Sequence, residues 1–205
     1  MDGGGAGGGA GGGAGAGAEI NQSLELRSNA GNAGGGEATY MDRQHVKAPA
    51  GQIIESLRVD CPTENTIQYV FRTVRAFGSG PSVAAVSALG DRGPEITSDD
   101  ESKSAHFLDQ FEVKGADNSL LSGFVLTRPT PATFRYQFWY VPDAGEGPII
   151  QTSTRATDDD GGSTTCFAQH AIVAPPGYGI VGFRLYRPTL STIAFRYWVQ
   201  RLKRR

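Results

Sequence analysis

Apolar and polar positions alternate with period two through the stretch FRYQFWYV. Phe134, Tyr136, Phe138 and Tyr140 fall on one side, and Arg135, Gln137, Trp139 and Val141 on the other. Period two is the strand periodicity, so the stretch predicts a β-strand with one aromatic face. IAFRYWVQ, 59 residues further on, places Ile193, Phe195, Tyr197 and Val199 on that face. TIQYVFRTV places Ile67, Tyr69, Phe71 and Thr73 there. The face is mainly apolar or aromatic in all three stretches and is predicted to be core. A second strand precedes each. Leu57 and Val59, Phe124 and Leu126, and Phe183 and Leu185 share its apolar face, while Ser56, Gly123 and Gly182 lie on the other. A small residue there admits a close aromatic ring or a neighbouring backbone. The paired strands are joined by CPTENT, RPTPAT and RPTLST, in which proline removes a donor and starts the turn.

The alternation belongs to a longer repeat. A shift of 59 residues aligns LLSGFVLTRPTPATFRYQFWY, from Leu120, with GIVGFRLYRPTLSTIAFRYWV, from Gly179, without a gap. A shift of 126 aligns APAGQIIESLRVDCPTENTIQYVFRTV, from Ala48, with APPGYGIVGFRLYRPTLSTIAFRYWVQ, from Ala174. Upstream of each copy lie a short apolar segment (YMDRQHV, DQFEV, AQHAIV), a polar or glycine-rich loop, and another candidate strand (EINQSLELRS, PSVAAVSAL, PIIQTSTRA). Three matches of this length indicate internal repetition. The units are 19–75, 81–141 and 148–201, each of four strands, and no stretch carries a convincing amphipathic-helix pattern. One such unit alone exposes its edges and an apolar face; threefold closure buries both. The expected fold is therefore all-β: a single domain of three four-stranded repeats with pseudo-threefold symmetry, β-prism-like. A β-trefoil is the alternative.

The three Greek-key-sized units, with the text GIVGFRLYRP and the closing strand IAFRYWVQ, resemble the jacalin-like β-prism proteins. The resemblance covers residues 19–201 as architecture and about twenty residues as specific text. It implies a prism whose end loops bind sugars, usually through a glycine and an aspartate four residues later near the last turn. That turn is here Arg187-Pro-Thr-Leu-Ser-Thr192, with neither residue, so the resemblance implies the fold more than the sugar site.

Composition narrows the function. Residues 2–18 contain only Asp, Gly and Ala. Such a segment has nothing to bury and a large entropy to lose, so 1–18 is expected to be a disordered tail. Residues 202–205 form a basic C-terminal tail. The 19 basic and 21 acidic residues leave a formal net charge of -2, which disfavours a nucleic-acid partner. No secretory leader and no apolar run long enough to cross a membrane are visible, so a cytoplasmic protein without membrane insertion is expected. Cys61 and Cys166 read as free thiols in a reducing compartment, with one disulfide as the alternative.

Catalysis finds no constellation. His45, His106 and His170 share no repeat position and no metal-ligand spacing, and no nucleophile elbow or phosphate loop is present. The chain reads as non-enzymatic, with no cofactor. The acidic runs Asp99, Asp100 and Glu101, and Asp158, Asp159 and Asp160, are solvated loops or candidates for a cation or polar ligand. Trp139 and Trp198 lie opposite the main aromatic row, beside Arg135 and Arg196. Trp and Arg are the usual anchors of protein interfaces, whereas a purely structural reading makes the tryptophans a second apolar layer. Two classes follow. One is a structural or assembly protein docking to protein subunits, itself included, as in a capsid or a cytoskeletal or ciliary complex. The other is a lectin-like carbohydrate-binding module.

Overall fold

The computed structural model describes residues 23–78, 80–86, 88–89, 104–130 and 133–204. The tail 1–18, the run Asp99, Asp100 and Glu101, the Pro131-Ala132 pair of the second turn and Arg205 lie outside these residues. The strands are, in chain order, β1 (Leu24–Arg27), β2 (Gly31–Asn32), β3 (His45–Lys47), β4 (Gln52–Thr63), β5 (Thr66–Arg75), β6 (Val83–Val86), β7 (Ala88–Leu89), β8 (Phe111–Lys114), β9 (Leu120–Thr130), β10 (Thr133–Val141), β11 (Gly145–Ser153), β12 (Thr157–Asp158), β13 (Ala171–Val173), β14 (Tyr178–Thr189) and β15 (Thr192–Leu202). The protein is all-β, built from three antiparallel sheets. No α-helix occurs among the described residues.

The first sheet runs β1-β5-β4-β13, with β2 also on β5. The second runs β3-β9-β10-β6. The third runs β11-β15-β14-β8-β7, with β12 on β15. Each aromatic hairpin (β4–β5, β9–β10, β14–β15) keeps the first strand of its own repeat and takes the short strand of another: β13, β3 and β8 respectively. The sequence pattern carried no sign of this exchange. Its cause is local. The links after β3 and β13 carry Pro49 and Pro175, then Gly51 at φ 74° and Gly177 at φ 80°. Each closes a tight turn, Gln52 N–H donating to Pro49 O and Tyr178 N–H to Pro175 O, both at 3.0 Å. The chain therefore turns a corner instead of folding back on itself, and the short strand pairs with the neighbouring hairpin.

The short strands are also entered by 3₁₀ helices at Ala38–Arg43, Ala105–Gln110 and Thr164–Gln169, where a strand pattern alone was read. Ser104 and Ser163 begin the second and third by accepting the N–H two residues on, at 3.3 Å in each case. The repeat extends to backbone angles. Gly34, Gly35 and Gly36 have φ 53°, 71° and 89°, and Asp160, Gly161 and Gly162 have 47°, 65° and 87°.

The expected aromatic face is the core. Phe71, Phe124, Phe134, Tyr136 and Phe138 are buried, with Leu57, Val59, Leu126 and Leu185 from the preceding strands. Phe124 meets Phe183 edge-on at 4.9 Å and Tyr69 at 5.2 Å, the T-shaped geometry that aromatic quadrupoles favour. Phe195 and Tyr197 are only partly buried and pack against this cluster. A second, smaller cluster gathers Ile53, Val74, Leu120, Val141, Val181 and Trp198. Ile53, Leu120 and Gly179 are aligned positions of the three repeats, and they meet there. A Cβ on Gly179 would lie 2.7 Å from Ile53 Cδ1 and 2.9 Å from Leu120 Cδ1, so two side chains fill the room of three.

Candidate functional site

A row of residues runs across each sheet at the height of the small residue. In the second sheet it is Lys47 on β3, Gly123 on β9, Trp139 on β10 and Ala84 on β6. In the third it is Lys114 on β8, Gly182 on β14, Trp198 on β15 and Gln151 on β11. In the first it is Val173, Ser56, Arg72 and Glu25.

The glycines have the role expected of a small residue. A Cβ on Gly123 would stand 2.6 Å from Val46 O, and one on Gly182 would stand 2.1 Å from Val113 O. The short strand approaches through that gap. With no side chain in between, each lysine reaches over the glycine to the indole: Lys47 Nζ lies 5.5 Å from the Trp139 ring centroid and Lys114 Nζ lies 4.9 Å from that of Trp198. Both are within cation–π range. The lysines were not singled out from sequence. The signal was present in the dipeptides Val46-Lys47 and Val113-Lys114, where an inward valine is followed by an outward lysine.

The two tryptophans part company at the next strand. Beside Trp198 lies β11, nine residues long. Gln151 Oε1 accepts the indole N–H at 3.2 Å, and the ring, 8% exposed, belongs to the second apolar cluster. Of the two readings of Trp198, interface anchor or second apolar layer, its burial fits the second layer. Beside Trp139 lies β6, four residues long, and the opposite residue is Ala84. Trp139 is half-buried, Ala84 is exposed, and Val83 next to it is 41% exposed. No acceptor for the Trp139 indole N–H lies among the described residues. Arg135, on the same face, is exposed. Arg196 is half-buried and its guanidinium lies 4.9 Å over the Tyr186 ring.

The acidic run of the third repeat is divided. Asp159 is turned inward, 4% exposed; His106 Nε2 lies 2.7 Å from its Oδ2, and Arg187 stands 3.6 Å away. Its other oxygen accepts the Gly161 N–H at 3.1 Å. Asp158 and Asp160 are exposed, and Asp158 Oδ1 accepts the Asp160 N–H at 2.8 Å. Among the described residues no three acidic, histidine or cysteine side chains gather as metal ligands. Asp159 is thus occupied by protein partners, and its hydrogen bond with His106 is a link between the second and third repeats that sequence reading missed.

His170 and the two cysteines are held within the fold. His170 is buried, its Nδ1 2.8 Å from Thr154 Oγ1 and its Nε2 2.9 Å from Thr157 Oγ1. Burial holds its pKa below the usual imidazole value. Cys61 and Cys166 are free thiols. That of Cys166 is pushed up to about 12, first by burial and then by Asp159 and Asp160, so it stays protonated and unreactive near neutrality. No described helix is long and apolar enough to cross a membrane.

Compared with protein-family models, with curated proteins and with solved structures, the chain matches none.

Proposed function

We propose that this protein is a non-enzymatic assembly subunit that docks to another protein subunit through the outer face of its second sheet, with Trp139 as the anchor. The observation that carries the reading is the contrast between the tryptophans. The third sheet covers Trp198 with a long strand and a glutamine, whereas the second leaves Trp139 beside Ala84, half-buried and with its N–H unpartnered among the described residues. A rigid indole between two residues with almost no side chain is a flat platform, steadied by Lys47, with exposed Arg135 further along the same face. Aromatic anchors with a polar handle are the side chains that dominate interface energetics. Cytoplasmic residence belongs to the same reading.

The fold behind the face is read as a prism of three sheets about a pseudo-threefold axis, as the jacalin-like resemblance implies. Two features support it. The order first strand, fourth, third and a neighbour's second recurs in all three sheets, and the aligned residues Ile53, Leu120 and Gly179 meet at one point. A trefoil would instead join strands of all three repeats in one barrel.

The test is recovery of the tagged full chain from its native extract with identification of partners, beside a glycan-array screen of the same sample. A defined protein complex lost in Trp139→Ala, with the melting temperature held, is the expected result. In Trp198→Ala the same complex should persist in whatever fraction stays folded. Reproducible glycan binding without a stable protein partner would overturn the assembly reading in favour of a lectin.

A further inference from the structure

The basic C-terminus acquires a setting that the sequence did not show. Where β5 and β15 end, Arg75, Ala76 and Phe77 line one groove with Arg201, Leu202, Lys203 and Arg204. The corner turns at 50–52 and 176–178 complete its walls. These walls are fixed by the backbone: Gly51 O accepts the Ala76 N–H at 2.9 Å, and Gly177 O accepts the Leu202 N–H at 2.8 Å. Four cations therefore share one rigid concavity on a chain whose net charge is -2. Glu146 stands 3.8 Å from Arg201, both about half-exposed. Lys203 and Arg204 are exposed and make no ion pair among the described residues. The Arg75 guanidinium lies 5.8 Å over the Phe77 ring. Like charges gathered this way raise the local potential and favour an anionic occupant.

We propose that this groove binds a short acidic peptide segment of a partner protein, with carboxylates on Arg75, Lys203 and Arg204. The site is distinct from the Trp139 face and does not depend on it. A peptide fits better than a nucleic acid for two reasons. Glu146 pairs in register with Arg201, so its carboxylate stands at the groove's edge and repels a phosphate backbone that continues past it. One face of the Phe77 ring is taken by Arg75, which leaves less of it for a base to stack on. Short peptides need only the few cations present, and guanidinium and carboxylate match as forks.

The test is fluorescence anisotropy of a labelled oligoglutamate peptide with the full chain. Saturable binding is expected, weakened about ten-fold or more by Lys203→Glu with Arg204→Glu, as loss of charge-assisted bonds requires. Arg75→Lys should also weaken it, because the charge remains while the fork is lost. Arg155→Glu, a single charge reversal of the same sign at an exposed residue outside the groove, should leave it intact. Binding that never saturates, or that falls equally in Arg155→Glu, would overturn the proposal. So would preference for an oligonucleotide of equal charge or for phosphatidylserine vesicles over the peptide.

Discussion

At the residue scale, a handful of positions decide what surrounds them by having no side chain or a depressed pKa. Gly182 is the sharpest case. The obstruction a Cβ would meet is the Val113 carbonyl, which is backbone and cannot turn aside. Gly182→Ala must therefore push β8 away from β14, breaking the ladder and lifting Lys114 off Trp198. The expected loss is about 2 kcal/mol or more, read as a lower denaturation midpoint with a red-shifted Trp198 emission. Gly51→Ala meets no such wall, but its φ of 74° makes the new residue strained, at about 1 kcal/mol. The need for a small residue at 182 was legible in the strand pattern. The carbonyl that demands it was not, because β8 comes from another repeat. His170 sets a pH term. Its folded pKa is depressed, so below an unfolded value of about 6.5 the unfolded chain binds more protons and stability falls as pH falls. Melts between pH 7.5 and pH 5 (chosen to straddle that unfolded value) should show this loss, and His170→Asn should show less of it.

At the element scale, the hairpins carry the core and the short strands carry the connections. Phe138 is 3% exposed on β10, opposite Phe124 on β9. Phe138→Ala should destabilise by roughly 3–5 kcal/mol, and Phe71, equally buried, should behave alike. An unchanged urea midpoint for either would mean that the inward face is misassigned. Tyr197 occupies the aligned position on β15 but is only partly buried, its hydroxyl 3.4 Å from Val173 O. Its truncation should therefore be milder, although the sequence pattern makes the three equivalent. Period two says which face a residue takes; it says nothing of how far the neighbouring strand extends to cover it. The same limit explains the tryptophans. Their shared position was readable, but the difference between a nine-residue β11 and a four-residue β6 was not. The 3₁₀ helices escaped for another reason: six residues are too few to display a helical period.

At the scale of the whole molecule, the exchange of short strands binds the three repeats into one another. The third repeat supplies β13 to the first sheet, the first supplies β3 to the second, and the second supplies β8 to the third. Removing any repeat would strip an edge from a neighbouring sheet and expose Gly123, Gly182 or Ser56 with the strand below it. Asp159 adds a hydrogen-bonded link between the second and third repeats through His106, and Thr164 Oγ1 donates to Gly36 O at 3.0 Å between the third and first. A chain of three self-contained units could melt in steps; exchanged strands are expected to make the three sheets melt together. The two tryptophans make that testable, since the second sheet holds one and the third holds the other. Single-tryptophan variants Trp139→Phe and Trp198→Phe leave one reporter each, while far-ultraviolet circular dichroism sees all three sheets. Each variant has its own stability, so the comparison is made within each protein, fluorescence against circular dichroism. The two curves should coincide in midpoint and slope for both variants, as a single cooperative transition demands. Fluorescence of one sheet running ahead of the dichroism in either variant would show that the exchanged strands do not couple the repeats.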